Sequence, residues 1–111
     1  MATEITLVNA GMKLYFWRQQ RRLPVTDLTP EMCRAGRALA RMDQKALSEA
    51  SGVPLPTIKA FETVRSVDGK PSRRLTTMNN RAIVEAFEAA GLEFIPENGG
   101  GAGIRFRDRR S

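Results

Sequence analysis

The sequence predicts a mainly α protein of four to five helices with short terminal β-strands. Apolar residues in the middle of the chain recur at helical spacing, and residues that favour helix ends bracket those segments. Near both ends of the chain, aromatic or alternating runs are typical of strands. The chain has 111 residues, 41% of them hydrophobic, which suits one domain with one modest core.

The first helix is predicted to begin at Pro30, directly after Thr29. Thr29 is a favourable N-cap, and a proline is tolerated at the first helical position because its missing N–H would have no helical partner. Its inner face is expected to hold Ala35, Ala38, Leu39 and Met42, which recur at helical spacing.

The stretch DQKALSEASGVPLPTIKAFET, residues 43 to 63, predicts two short helices joined by a turn. Asp43 is placed to cap the first helix, and Gly52 suits the left-handed position after its end, near residue 50. Pro54 and Pro56 mark the start of the second helix, because a proline costs little in a first helical turn. The inward side chains are expected to be Ala46, Leu47, Ala50, Ile58 and Phe61.

A fourth helix is predicted over residues 76 to 90, ended by Gly91, and a hairpin follows with strands near 93 to 95 and 104 to 107. The chain then divides into an N-terminal extension or arm with strand character (1–28), a helical domain (29–92), and a C-terminal hairpin with a basic tail (93–111). The buried stripe of the fourth helix is expected to hold Met78, Ala82, Ile83, Ala86, Phe87 and Ala90.

Residue counts exclude several kinds of chemistry. The chain has no His, and Cys33 is its one cysteine, so a zinc site is not expected and a His-dependent catalytic triad cannot be assembled. We therefore expect no metal, no cofactor and no enzymatic activity, and we interpret Cys33 as a core residue. Because no apolar run is long enough to span a membrane and no signal peptide is visible, we expect a cytoplasmic protein without a membrane partner.

The helix–turn–helix stretch resembles the DNA-binding motif of the phage-repressor-like (XRE, or Cro/CI) family. The resemblance extends over roughly residues 29 to 107, including the fourth helix and a short C-terminal hairpin like that of bacterial members. It implies a repressor-like helix-turn-helix domain, and an ion pair between Arg37 and Glu62 that sets the angle of the motif. Seven residues match the family pattern in order and spacing: Gln44, Leu47, Gly52, Val53, Ile58, Phe61 and Glu62.

The chain also departs from the family pattern. Ser48 stands where the family usually has Ala, and the loop after the motif is longer than usual. Leu55 and Pro56 stand at the tip of the second motif helix, where hydrogen-bonding side chains are common in the family. Few base-specific hydrogen bonds are therefore expected from this helix, and part of the sequence preference is expected to come from DNA shape.

The charge distribution predicts a polyanionic partner. The net charge is +6, and the densest excess lies in residues 63 to 75, with four basic residues and one acidic residue. In the repressor-like fold this loop lies against the DNA backbone, and Arg18, Arg21 and Arg22 on the N-terminal arm are possible minor-groove contacts. The residues expected at the DNA are Gln44, Lys45, Leu55, Pro56, Thr57, Lys59, Thr63, Arg65, Lys70, Arg73 and Arg74.

Two functional classes agree with the sequence. The first is a sequence-specific transcriptional regulator that binds an inverted repeat in double-stranded DNA as a homodimer and associates with the nucleoid. The second is an antitoxin, or another protein-interaction module on the same fold, that neutralises a protein partner and regulates its own promoter. The dimer interface is expected to use the terminal strands, with apolar anchors at Tyr15, Phe16, Trp17, Phe94 and Ile104.

Overall fold

A computed structural model describes residues 27–65 and 67–109. The predictions for residues 1 to 26, which include the strand-like runs, the arm cations Arg18, Arg21 and Arg22, and the anchors Tyr15, Phe16 and Trp17, lie outside these residues. The mainly α prediction and the C-terminal hairpin are confirmed. The elements are α1 (Pro30–Ala40), α2 (Gln44–Ser51), α3 (Leu55–Glu62), α4 (Thr77–Ala89), β1 (Leu92–Ile95) and β2 (Gly103–Phe106).

Side-chain caps begin three of the four described helices. The Thr29 hydroxyl accepts a hydrogen bond from the Met32 N–H at 3.1 Å, and the Asp43 carboxylate accepts one from Ala46 at 2.7 Å. Thr76 caps α4 in the same way. These hydrogen bonds confirm the helix starts predicted at Thr29 and Asp43, with both side chains acting as the predicted N-caps. Each such cap typically contributes about 1 kcal/mol to stability.

A turn of three residues joins α2 to α3. Gly52 adopts a left-handed conformation, with φ of 79°, and its N–H donates to the Ser48 carbonyl at 2.8 Å. The Ser48 hydroxyl donates to the Val53 carbonyl at 2.6 Å, so the residue that departs from the family pattern adds a bond across the turn. Pro54 then precedes α3, and its carbonyl accepts from the Ile58 N–H at 3.2 Å.

One apolar core joins the helices to the hairpin. Phe87 of α4 lies at its centre, fully buried, and its ring centroid is 6.3 Å from that of Phe94 in β1. The strands pair antiparallel within the chain, with Leu92 opposite Phe106 and Phe94 opposite Ile104. The buried hydrophobic residues are Leu28, Cys33, Leu47, Val53, Ile58, Phe61, Ile83, Val84, Ala86, Phe87, Leu92 and Phe94.

The predicted inner face of α1 is wrong in its rotation. Ala35 and Ala38 are exposed, whereas Pro30, Cys33 and Gly36 are buried; Leu39 and Met42 are half-buried. The cause is a close approach between α1 and α4: a Cβ atom at Gly36 would lie 2.7 Å from the Phe87 ring. Gly36 therefore marks the true inner face of α1. A search for apolar side chains at helical spacing does not find it, because glycine has no side chain.

Two further burial predictions are wrong. Met78 is 82% exposed, because nine residues of helix at about 100° each turn its side chain to the face opposite Phe87. Ala50 is exposed, since α2 is held to the core through Leu47. The end of α4 also shifts by one residue: Ala90 is the C-cap, and Gly91 follows it with φ of 96°.

The hairpin residues expected to anchor a dimer lie within the fold of one chain. Phe94 is buried in the core, and Ile104 packs against the same core from the facing strand. Phe94 is thus unavailable as a dimer anchor, because its side chain is buried in the core of its own chain and β1 pairs with β2 of the same chain. None of the helices in the described part of the chain has the length and apolarity needed to cross a lipid bilayer.

We expect Gly36→Ala to lower the free energy of unfolding by about 1 kcal/mol. The added methyl group overpacks the Phe87 ring, which typically costs about 1–3 kcal/mol, against a gain in helix propensity of about 1 kcal/mol. Gly100→Ala is the matched control, because its new methyl group would meet no atom within 4 Å. Urea denaturation measures both; a Gly36→Ala protein as stable as the wild type would contradict the close packing.

Candidate nucleic-acid interface

The carboxylate of Glu62 joins three helices. Arg37 of α1 donates to it twice, from Nε to Oε2 at 2.9 Å and from Nη2 to Oε1 at 2.7 Å. Gln44 of α2 donates to Oε1 at 3.0 Å, and the Cys33 thiol of α1 donates to Oε2 at 3.0 Å. We call Cys33, Arg37, Gln44 and Glu62 the Glu62 clamp; it confirms the predicted Arg37–Glu62 pair.

The Glu62 clamp is largely shielded from solvent, and its negative and positive charges are paired. The Glu62 side chain is 4% exposed and that of Arg37 is 19% exposed. Burial by itself would raise the pKa of Glu62, but the hydrogen bonds from Arg37, Cys33 and Gln44 outweigh it and lower that pKa. The hydrogen bond to Glu62 raises the pKa of Arg37. Burial, followed by the bond to Glu62, raises the pKa of the Cys33 thiol, so Cys33 stays protonated as a donor.

The backbone at the end of α3 is held as well. Arg34 of α1 donates from Nη1 to the Glu62 carbonyl at 2.6 Å, which satisfies an acceptor that a helix end leaves open. Arg37 also reaches the Met42 carbonyl at 3.3 Å, before α2 begins. Helix α3 is thus fixed at its end by charged hydrogen bonds and at its start by the Gly52 turn.

This anchoring determines which face of α3 meets solvent. Ile58, Phe61 and Glu62 point inward, whereas Pro56 and Lys59 are exposed and Leu55 is half-buried. Thr63, directly after the helix, is exposed too. The outer face therefore presents one cation beside a mostly apolar start, as the sequence predicted for Leu55, Pro56 and Lys59.

Thr57 occupies a different place from the one expected of a base-reading side chain. It is 8% exposed, and its hydroxyl accepts a hydrogen bond from Arg73 Nη1 at 3.4 Å. Its position four residues before Phe61 puts it on the inner face of α3, which leaves little of it for a base edge. The same bond places Arg73, which is exposed, beside the start of α3.

The remaining predicted residues lie at the start of α2 and in the loop after α3. Lys45 is exposed in the first turn of α2, where a helix N-terminus favours an anion. Gln44 is half-buried; one hydrogen of its amide nitrogen serves Glu62, and the second could still reach a phosphate. Arg65 forms an ion pair with Asp68 at 2.6 Å.

The loop after α3 is organised as a hairpin. Val64 and Pro71 form an antiparallel bridge, and the Arg65 N–H donates to the Lys70 carbonyl at 2.8 Å. We call residues 63–65 and 67–72 the loop hairpin. Lys70 lies within the loop hairpin, and Arg73 and Arg74 follow it directly. All three side chains are exposed, and none of them forms an ion pair within residues 27–65 and 67–109.

An open groove of about 620 Å³ separates the loop hairpin from the first turns of α1 and α4. Arg65, Lys70 and Arg74 line one part of it, while Asp27 and Glu31 line another. The mixed charge does not favour a single small anion there. Within the described residues, no cluster of His, Cys, Asp or Glu side chains could hold a metal ion.

Two clamp residues have a role that the sequence does not predict. Cys33, predicted as a core residue, and Gln44, predicted as a DNA contact, both donate to Glu62. The four-residue spacing of Cys33 and Arg37 is the sequence signal for this shared role, because it puts both side chains on one face of α1.

No protein-family model matches this chain, and a comparison with curated proteins finds no relative that matches it.

We expect Glu62→Gln to lower the free energy of unfolding at pH 7 by about 3 kcal/mol, because it leaves Arg37 without a countercharge in a largely closed site. The folded-state pKa of Glu62 is below its ordinary value of 4.5, so the ionised carboxylate stabilises the fold fully above that value. The stabilisation is lost as the pH falls through the folded pKa, and the difference between wild type and variant should narrow there.

Urea denaturation between pH 3 and pH 7 measures this difference. Glu49→Gln is the matched control, since it removes the same charge from an exposed position on α2. A Glu62→Gln deficit that stays constant across the range would show that the carboxylate charge is not what stabilises the site.

Proposed function

We propose that this protein is a sequence-specific, double-stranded DNA-binding transcriptional regulator in which α2 and α3 act as a helix-turn-helix motif. The observation that carries the proposal is the arrangement of α3: its buried face is fixed by the Glu62 clamp, and its outer face presents Lys59 and Pro56, with the exposed cations Lys70, Arg73 and Arg74 in and after the loop hairpin. A regulator of this kind acts on the nucleoid in the cytoplasm, and it needs neither a cofactor nor catalysis.

Base contacts in this proposal come from the first two turns of α3. Lys59 can donate to the O6 and N7 acceptors of guanine in the major groove. Pro56 and Leu55 offer apolar surface, which suits the methyl group of thymine. Since Thr57 is nearly buried, its main part is to hold Arg73 beside the helix start.

Phosphate contacts come from the surrounding cations. Arg73 lies beside α3 through its bond to Thr57, and Arg74 and Lys70 are exposed close by in the chain. Such contacts position a protein on the duplex without reading sequence. Lys45, at the start of α2, adds a cation where backbone N–H groups also favour a phosphate.

A homodimer on an inverted repeat remains part of the proposal. Two recognition helices then fall about one helical turn apart, roughly 34–36 Å. The burial of Phe94 moves the contact away from the inner face of the C-terminal hairpin. Sedimentation of the full chain at micromolar concentration, with and without duplex, tests the assembly: a single chain on each bound duplex would contradict it.

We expect the double variant Arg73→Ala, Arg74→Ala to weaken binding to specific and unrelated duplexes by the same factor. Each lost phosphate contact also reduces the dependence of log K on log salt by about 0.9. Fluorescence anisotropy over 50–200 mM salt measures both. Arg81→Ala, Arg109→Ala is the control with the same loss of charge at two exposed positions; equal slopes in the two double variants would exclude the loop contact.

We expect Lys59→Ala to change the selected binding sequence and Thr57→Ala to leave it unchanged. Lys59 faces solvent on α3, and a good base contact discriminates by about 1–3 kcal/mol, whereas Thr57 is turned inward. Selection from a random duplex library provides the measurement. If Lys59→Ala and wild type select the same motif, the sequence preference comes from DNA shape and not from a base contact of Lys59.

A further inference from the structure

The loop hairpin is more ordered than a connection between two helices requires. Besides the Val64–Pro71 bridge, the Gly69 N–H donates to the Arg65 carbonyl at 2.9 Å, and the Ser72 N–H donates to the Thr63 carbonyl at 2.8 Å. Gly69 has φ of 71°, a conformation that turns of this kind require and other residues rarely adopt. These bonds make a short projecting hairpin out of the extra residues between α3 and α4.

The tip of the projection carries an apolar side chain in full contact with solvent. Val67 is 95% exposed. The neighbouring Asp68 holds the tip in shape, because its carboxylate pairs with Arg65 at 2.6 Å and accepts from the Lys70 N–H at 3.0 Å. Val67 adds nothing to the core, and its methyl groups are open to contact with a partner.

The length of the projection suits the groove next to the one that α3 would enter. Eight residues of α3 span about 12 Å, and three extended residues of the hairpin add about 10 Å. Half a helical turn of duplex, the step from a major groove to the adjoining minor groove, is about 17 Å. End to end, these two lengths come to about 22 Å, which exceeds the step of about 17 Å, so chain length allows the tip to reach that minor groove while the start of α3 stays in the major groove.

We propose that the loop hairpin is a second DNA-contacting element, which places Val67 against the sugars of the adjoining minor groove and Lys70 on its phosphate edge. The proposal rests on DNA binding by α3 and adds the groove that the loop occupies. Proteins that bind the minor groove combine Arg or Lys side chains with apolar side chains that enter the groove, and the loop hairpin presents both kinds of side chain. The exposed cations Lys70, Arg73 and Arg74 favour duplex DNA over a protein partner for this surface.

Hydroxyl-radical footprinting of the full-length protein on its selected duplex tests the proposal. We expect wild type to protect a core segment in each half-site and, beside it, the sugars of the adjoining minor groove, one groove for each chain of the proposed homodimer. Val67→Ser combined with Lys70→Ala should remove the flanking protection, keep the core protection and reduce the salt slope by about 0.9. Both positions are exposed, so the variant should melt at the wild-type temperature. Arg109→Ala, which also removes an exposed cation, should leave both protected regions in place.

The outcomes separate this proposal from the proposed function. An unchanged flanking footprint in the double variant overturns the role of the loop hairpin and leaves DNA binding by α3 intact. Core protection in wild type with no flanking protection overturns it too. If wild type protects no duplex at all, the proposed function itself fails.

Discussion

The ion pair between Arg37 and Glu62 is the interaction on which the rest of the arrangement depends. It joins the last turn of α1 to the end of α3, and Gln44 brings the start of α2 to the same carboxylate. Apolar packing would tolerate small rotations of so short a helix as α3. Bidentate hydrogen bonds from a planar guanidinium tolerate much less, because they require both distance and orientation. The clamp thus determines which residues of α3 face solvent.

The core and the clamp contribute different things. Leu47, Ile58, Phe61 and Phe87 belong to the buried apolar core whose removal from water drives folding. A buried ion pair is a poor source of net stability, since desolvation offsets much of its attraction, yet removing one partner is strongly unfavourable. The combination gives a helix whose position is specified sharply while its outer face stays free to vary. A surface that must be presented at a fixed angle to a partner needs this property.

Much of the fold was predictable because its signals are local. Thr29, Asp43 and Gly52 act within one turn of their own position, so their roles follow from residue type alone. The Arg37–Glu62 pair is long-range, and it came from the family resemblance. The sequence gives no prediction for Gly36 and a wrong burial for Thr57, because their surroundings depend on packing between distant elements: the Phe87 ring in one case and Arg73 in the other. The loop hairpin was missed for the same reason, as its bonds join residues on both sides of a turn.

The most direct test of the central claim is a map of backbone amide shifts in the full-length protein, recorded by NMR as its selected duplex is added. The account predicts the largest changes at the start of α2, along Leu55 to Lys59, and in the loop after α3, with small changes in β1 and β2. Changes concentrated in the C-terminal hairpin, or none at saturating duplex, would contradict it.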